Sequence, residues 1–188
     1  MKKYPLFALL LFLSCSTEPA EVLPPSSELD IPLLTQSIPS RSWATCGRMI
    51  YLYRDTSFTM SECELMSAVR YMQIDCCAQP DSCDTTYTTI GIAAGLSAAV
   101  NRAYMQFFGT PPLEQMHEYF HEYHVPILVL TKGSPHESAG HFVVVRGLRF
   151  VDEKYNPVML VNDPLGYFSS EMRYREFQDV CVSAAFLM

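Results

Sequence analysis

The chain has no surplus of positive charge. It carries 13 Lys and Arg against 20 Asp and Glu, for a formal net charge of −7 and a pI near 5.1. A nucleic-acid-binding surface needs the opposite balance, so that class of partner is excluded. No long apolar run crosses a bilayer either. The stretch LFALLLFL near the start falls well short of the ~20 residues that a spanning helix requires. There is no internal repeat, which argues against solenoids and propellers. The cysteines do not form two separated CxxC pairs, which argues against a structural zinc site. What is present is a chain of 188 residues with 49% hydrophobic content, enough for one domain with a substantial core.

The N-terminus reads as a targeting segment rather than as part of that domain. Lys2 and Lys3 precede LFALLLFL, and Leu13-Ser14-Cys15 then has the form of a lipoprotein cleavage site. The expected organisation is a signal peptide over 1–14, then a lipidated Cys15 with a flexible tether rich in Pro, Ser and acid to residue 30, then a domain over 31–188. The protein is then exported and held at the bacterial cell envelope, touching the membrane through its lipid anchor alone. Of the seven cysteines, six remain once Cys15 is set aside. An even number in an exported domain points to disulfides, although spacing alone does not choose the pairing. The stretch DCCAQPDSC reads as a disulfide-stapled loop.

Periodicity divides the domain in two. Trp43 to Leu52 has an apolar helical face, with Ser40 or Ser42 expected as its cap. Ser61-Glu62-Cys63-Glu64 has the form of a capping box and opens a second helix over about 61–72. The segment from Thr89 to Val100 is small and apolar and is read as helix despite Gly91 and Gly95. Leu113, Met116, Tyr119, Phe120 and Tyr123 follow helical spacing. The pattern then changes to β-branched runs, PILVLT, HFVVVRGLRF, VMLVND and VCVSAAFLM. Helices first and strands second predict an α+β domain, with N-terminal helices packed on an antiparallel sheet.

Four residues stand in an order that carries chemistry. Gln36 lies six positions before Ser42, and Ser42-Trp43-Ala44 opens a helix. His141 begins a strand, and Asp163 follows another strand just before Pro164, with Asn162 as an alternative to it. In this arrangement the chain resembles the papain-like cysteine peptidases, and most closely the small bacterial branch that includes the bacteriocin-processing, double-glycine-leader peptidases. The resemblance implies a papain-like fold and a peptide or protein segment as partner, with no cofactor or metal. It implies that Gln36 is the oxyanion donor, His141 the general base, Asp163 the group orienting it, and Trp43 a residue of the substrate site. Ser42 stands where the family has its nucleophilic cysteine. A thiol at a helix N-terminus beside an imidazole exists as thiolate; a hydroxyl does not. The expectation is a peptidase fold that hydrolyses poorly or not at all. Cys46, one turn beyond Ser42, is expected in a disulfide or in the core.

A second motif competes. His117-Glu118-Tyr119-Phe120-His121 satisfies H-E-x-x-H, which on a helix can hold zinc with the glutamate as base. Charged Glu122 follows at once, and no third histidine appears at metzincin spacing. The apolar residues of this helix form its core face, so the motif is expected on the solvated side.

Overall fold

The computed structural model describes residues 22–37, 41–69, 73–83, 89–133 and 140–188. Lys2, Lys3, Cys15 and Ser40 lie outside them. Among the described residues, five α-helices pack with one sheet of seven antiparallel strands. The helices are α1 (Ser42–Arg54), α2 (Glu62–Val69), α3 (Thr89–Ala99), α4 (Leu113–His121) and α5 (Tyr174–Val180). The strands are β1 (Ser27–Glu28), β2 (Tyr104–Phe108), β3 (Ile127–Thr131), β4 (His141–Arg149), β5 (Val158–Asn162), β6 (Glu171–Arg173) and β7 (Cys181–Leu187). Strand order is β2-β7-β3-β4-β5-β6, with β1 added beside β4.

β4 is the axis of the molecule. His141, Phe142, Val143, Val144 and Val145 are all buried, so both faces of the strand are covered. α1 and α4 both pack against it. Its two edges change partner along its length. β3 pairs with His141 to Val145, and β1 takes over at Gly147 and Leu148. A side chain on Gly147 would collide with the backbone carbonyl of Ser27, so only glycine lets β1 lie this close. On the other edge β5 pairs from Val144 onward. Continued by two residues, that register sets Pro164 opposite Phe142. Proline has no N–H to give, and the ladder stops there.

The ordered domain therefore begins earlier than composition predicts. Ser27, Leu29 and Ile31 are buried, and β1 lies inside the stretch read as tether. Two strand residues leave no alternation to detect. β2, β6 and α5 were likewise absent from the expected elements.

The helical half is assembled on small residues and cross-links. Ser61 and Glu64 form the expected capping box of α2, Ser61 N–H and Oγ–H each donating to Glu64 Oε2 at 2.7 and 2.8 Å. α3 is helical despite its glycines, because a Cβ at Gly95 would strike Val69 of α2. The glycine permits the contact that holds the helix in place. Cys63–Cys77 and Cys76–Cys83 are disulfides. Cys46 and Cys181 are free and buried.

Candidate active site at the seam of helix and sheet

Ser42 is the first residue of α1 and is only 4% exposed. It is not a cap. The cap position is Arg41, with no side-chain cap bond. The Ser42 hydroxyl oxygen instead accepts the N–H of Phe142 at 3.1 Å. One turn later, the Cys46 thiol donates to the Phe142 carbonyl at 3.3 Å. The edge of β4 left bare by Pro164 is thus satisfied by two side chains of α1. This is a physical reason for a polar group at both positions, since a buried peptide without partners is costly.

His141 is fully buried and occupies the first position of β4. Its Nε2 lies 2.6 Å from Asp163 Oδ1. An ionised carboxylate only accepts, so Nε2 carries the proton and Nδ1 the lone pair. Nδ1 is buried with no partner among the described residues. The carboxylate also accepts Leu165 N–H on Oδ1 and Phe168 N–H on Oδ2, each at 2.8 Å. Burial works against ionisation of Asp163 and is the largest single influence. The His141 bond, the two backbone bonds and the electrostatic attraction of the imidazole N–H together outweigh it and hold the carboxyl below its ordinary range. The turn itself is closed by Gly166 N–H on the Asp163 carbonyl at 3.2 Å, with Gly166 at φ +68°.

Asn162 is not the orienting group. Its Nδ2 donates to the Ile31 carbonyl at 2.9 Å and its Oδ1 accepts from Arg146 Nε at 3.1 Å. It ties the segment before Gln36 to the sheet. Gln36 is buried, and its own N–H donates to the Pro164 carbonyl at 3.2 Å, beside Asp163. Ser42, His141, Asp163 and Gln36 therefore converge. Trp43 does not line an open substrate surface. It is 3% exposed and packs in the main core, as the second residue of a helix whose first turns are almost wholly buried.

Glu62, Tyr167 and Phe168 join the site without a motif to mark them, and Cys46, expected in a disulfide or in the core, takes a place there as a free thiol. Glu62 of α2 accepts Thr45 Oγ1–H of α1 at 2.7 Å and Ser37 Oγ–H at 3.0 Å, bracing the residue next to Gln36. The rings of Tyr167 and Phe168 lie 5.3 and 6.4 Å from the imidazole. Cys46 supplies the second half of the Phe142 clamp. Its thiol is pushed well above the ordinary range by burial and, secondarily, by the Asp163 charge. It is protonated at neutral pH and is not a displaced nucleophile.

The histidines of the H-E-x-x-H helix bond the N-terminal segment. His117 Nε2 is 2.8 Å from the Pro25 carbonyl, and His121 Nδ1 is 3.1 Å from Ser27 Oγ. Glu118 accepts from Tyr123 OH at 3.3 Å. His117 is partly buried and His121 is exposed, and both hold the N-terminal segment against α4.

In chemical terms, the arrangement is an imidazole with one nitrogen oriented by a carboxylate and the other free to take a proton. The next residue, Phe142, bonds Ser42 at the N-terminus of α1, where the helix dipole favours an anion. The model of the family described as papain-like cysteine protease AvrRpt2 matches residues 25–181. Among solved structures, one described as a C39-like peptidase from Bacillus anthracis is 13% identical, with a TM-score of 0.57; the match covers 88% of this chain and 98% of that one. A double glycine motif protease from an AMS/PCAT transporter, in complex with the leader peptide, is 14% identical with a TM-score of 0.51, covering 86% and 94%. At such identity the likeness speaks for the fold alone. No curated protein matches the chain.

Proposed function

Because the chain belongs to the papain-like cysteine protease family of AvrRpt2, we propose that it is a peptide-binding domain of peptidase fold whose hydrolytic step is missing at Ser42. The observation that carries this is the state of the Ser42 hydroxyl. Its oxygen is engaged by Phe142 N–H, inside the wall between α1 and β4. It is a structural acceptor in the place where the family has its thiolate. Serine cannot form the thiolate–imidazolium ion pair, and its shorter bond sets the oxygen back from a carbonyl placed for sulfur. A misplacement of about 1 Å costs on the order of 100-fold in rate.

The base and its orienting carboxylate are retained, so the loss is confined to the attacking atom. The partner is an extended peptide or protein segment, in line with the leader peptide held by the similar transporter protease. The domain is exported and lipid-anchored through Cys15, a reading supported by Lys2, Lys3, the apolar run after them and Leu13-Ser14-Cys15. The two disulfides suit an oxidising compartment.

The test is a broad peptide library assayed for both cleavage and binding. The chain is expected to bind a subset without cutting it. Ser42→Cys is expected to cut, iodoacetamide to abolish the cutting, and His141→Ala in that background to remove it. Cleavage by the unaltered chain that disappears in Ser42→Ala would overturn the reading. For the anchor, mass spectrometry should find an acylated Cys15 at the mature N-terminus; a mature chain starting elsewhere would refute it.

A further inference from the structure

The opposite end of α1, roughly 18 Å from Ser42 at ~1.5 Å per residue, holds a cavity of about 170 Å³. Its walls are apolar and include Ile50, Phe58, Val100 and Leu187. At ~30 Å³ per water it has room for about six waters. Its charged side chains are Arg54, Arg102 and Asp55, and Met188 lines it beside Leu187. Arg54 and Arg102 line it, and Arg54 Nη2 is fixed by the Leu187 carbonyl at 3.2 Å. Tyr51 lines it as well. That residue is 6% exposed, and its hydroxyl is buried with no hydrogen-bond partner among the described residues.

The two guanidiniums and the unpartnered hydroxyl are independent features, and each can donate to an anion. A buried hydroxyl without a partner is rare and calls for a ligand or an ordered water. Among the described residues no carboxylate pairs with either guanidinium. Asp55, the acidic group in the lining, spends Oδ1 on the N–H and Oγ–H of Ser57, at 2.9 and 2.6 Å. Ser97 gives its hydroxyl to the Arg102 carbonyl. Burial lowers the Arg54 guanidinium from its ordinary range; Tyr53 works against that shift, and the charge of Arg102 adds to it by less. An anion at this point would answer both guanidiniums and the hydroxyl, while the apolar walls cover an adjoining side chain.

We propose that this cavity binds a carboxylate carried on a small apolar body, either a free hydrophobic acid or the C-terminal residue of a peptide. The volume limits that body to about one amino-acid side chain. A cation is disfavoured by the two arginines. A neutral apolar ligand would leave the donors unanswered.

The experiment titrates the full chain with N-acetyl-leucine, with its amide, and with a short peptide ending in a free leucine, by calorimetry or NMR. Saturable binding of the acid is expected, with the amide at least ~10-fold weaker, as befits the loss of a charge-assisted pair. Arg54→Met and Arg102→Met should each weaken the acid at least ~10-fold. Tyr51→Phe should weaken it several-fold while leaving the unfolding transition in place. A peptide that binds more tightly than N-acetyl-leucine identifies a C-terminal residue as the occupant, and the reverse identifies a free acid. Equal binding of acid and amide, no saturation, or unchanged binding in the arginine variants would overturn the proposal. Unchanged binding in Tyr51→Phe would do the same.

Discussion

The helical half, α1 to α3, and the sheet half, β2 to β7, are stabilised by different means. The strands pair antiparallel throughout, and β3, β4, β5 and β7 are made mostly of buried residues. Each strand is supported by its neighbour's hydrogen bonds. The helices have 13, 8 and 11 residues, around or below the length at which a helix is marginal alone in water. They rely on close approach at glycine and on two disulfides. A ladder is a property of adjacent segments, whereas cross-links gather segments that have little to hold them. The candidate site lies where the halves meet, taking Ser42 from one and His141 and Asp163 from the other.

The comparison can be broken most severely from the sheet side. Asp163→Ala removes the partner of a buried imidazole and two backbone N–H groups together. We expect a loss of about 3–5 kcal/mol in urea unfolding, the range for a buried pair broken at one end. The same group sets an acid limit. Its folded-state carboxyl is held below the ordinary value, so its contribution is complete above about pH 4 and is lost as pH falls through the folded value. A stability profile that is flat from pH 5 down to 2 would contradict this.

Reducing the disulfides tests the helical half. The Cys63–Cys77 bridge closes a separation of 14 residues, for which chain entropy gives about 3 kcal/mol. Hydrogen exchange after reduction should rise in α2 and α3 and stay slow in β3, β4 and β7. Uniform loosening would show that the sheet depends on the bridges too. Smaller effects belong to the seam. Cys46→Ala removes a donor and some packing, at about 1–2 kcal/mol. Ser42→Ala strands one N–H, at about 1 kcal/mol. If each alone costs nothing, the Phe142 clamp is not what joins the halves. In the native protein Cys46 should resist iodoacetamide, and in denaturant it should react.

Much of this was legible in the residues, and the failures have physical reasons. β3, β4, β5 and β7 are β-branched runs, and alternation with turn residues marks them. The spacing from Gln36 to Ser42 and the strand contexts of His141 and Asp163 nominate the four candidate residues, and the structure bonds Gln36 to Pro164, Ser42 to Phe142 and His141 to Asp163. Asn162 and Asp163 could not be told apart, because adjacent residues differ in direction and not in pattern. Disulfide pairing depends on how α2 meets the following loop, which spacing does not encode. β1 was missed because two residues of strand, after prolines and acids, owe their conformation to a partner more than a hundred positions away. Trp43 was assigned to the substrate for its company in the sequence, and the helix turns it into the core.

β1 has a mechanical consequence. Tension arriving from the N-terminal side meets this short strand first. There the chain is fastened by two paired residues, by the Glu28–Arg146 ion pair, by Phe150 N–H on Ser26 Oγ at 3.0 Å, and by the two histidines of α4. That fastening is slight beside the five-residue pairing of β3 with β4. Under a pull β1 acts as a fuse. It peels away and pays out slack at ~3.4 Å per residue, and the load reaches Asn162 and the seam only after that slack is spent.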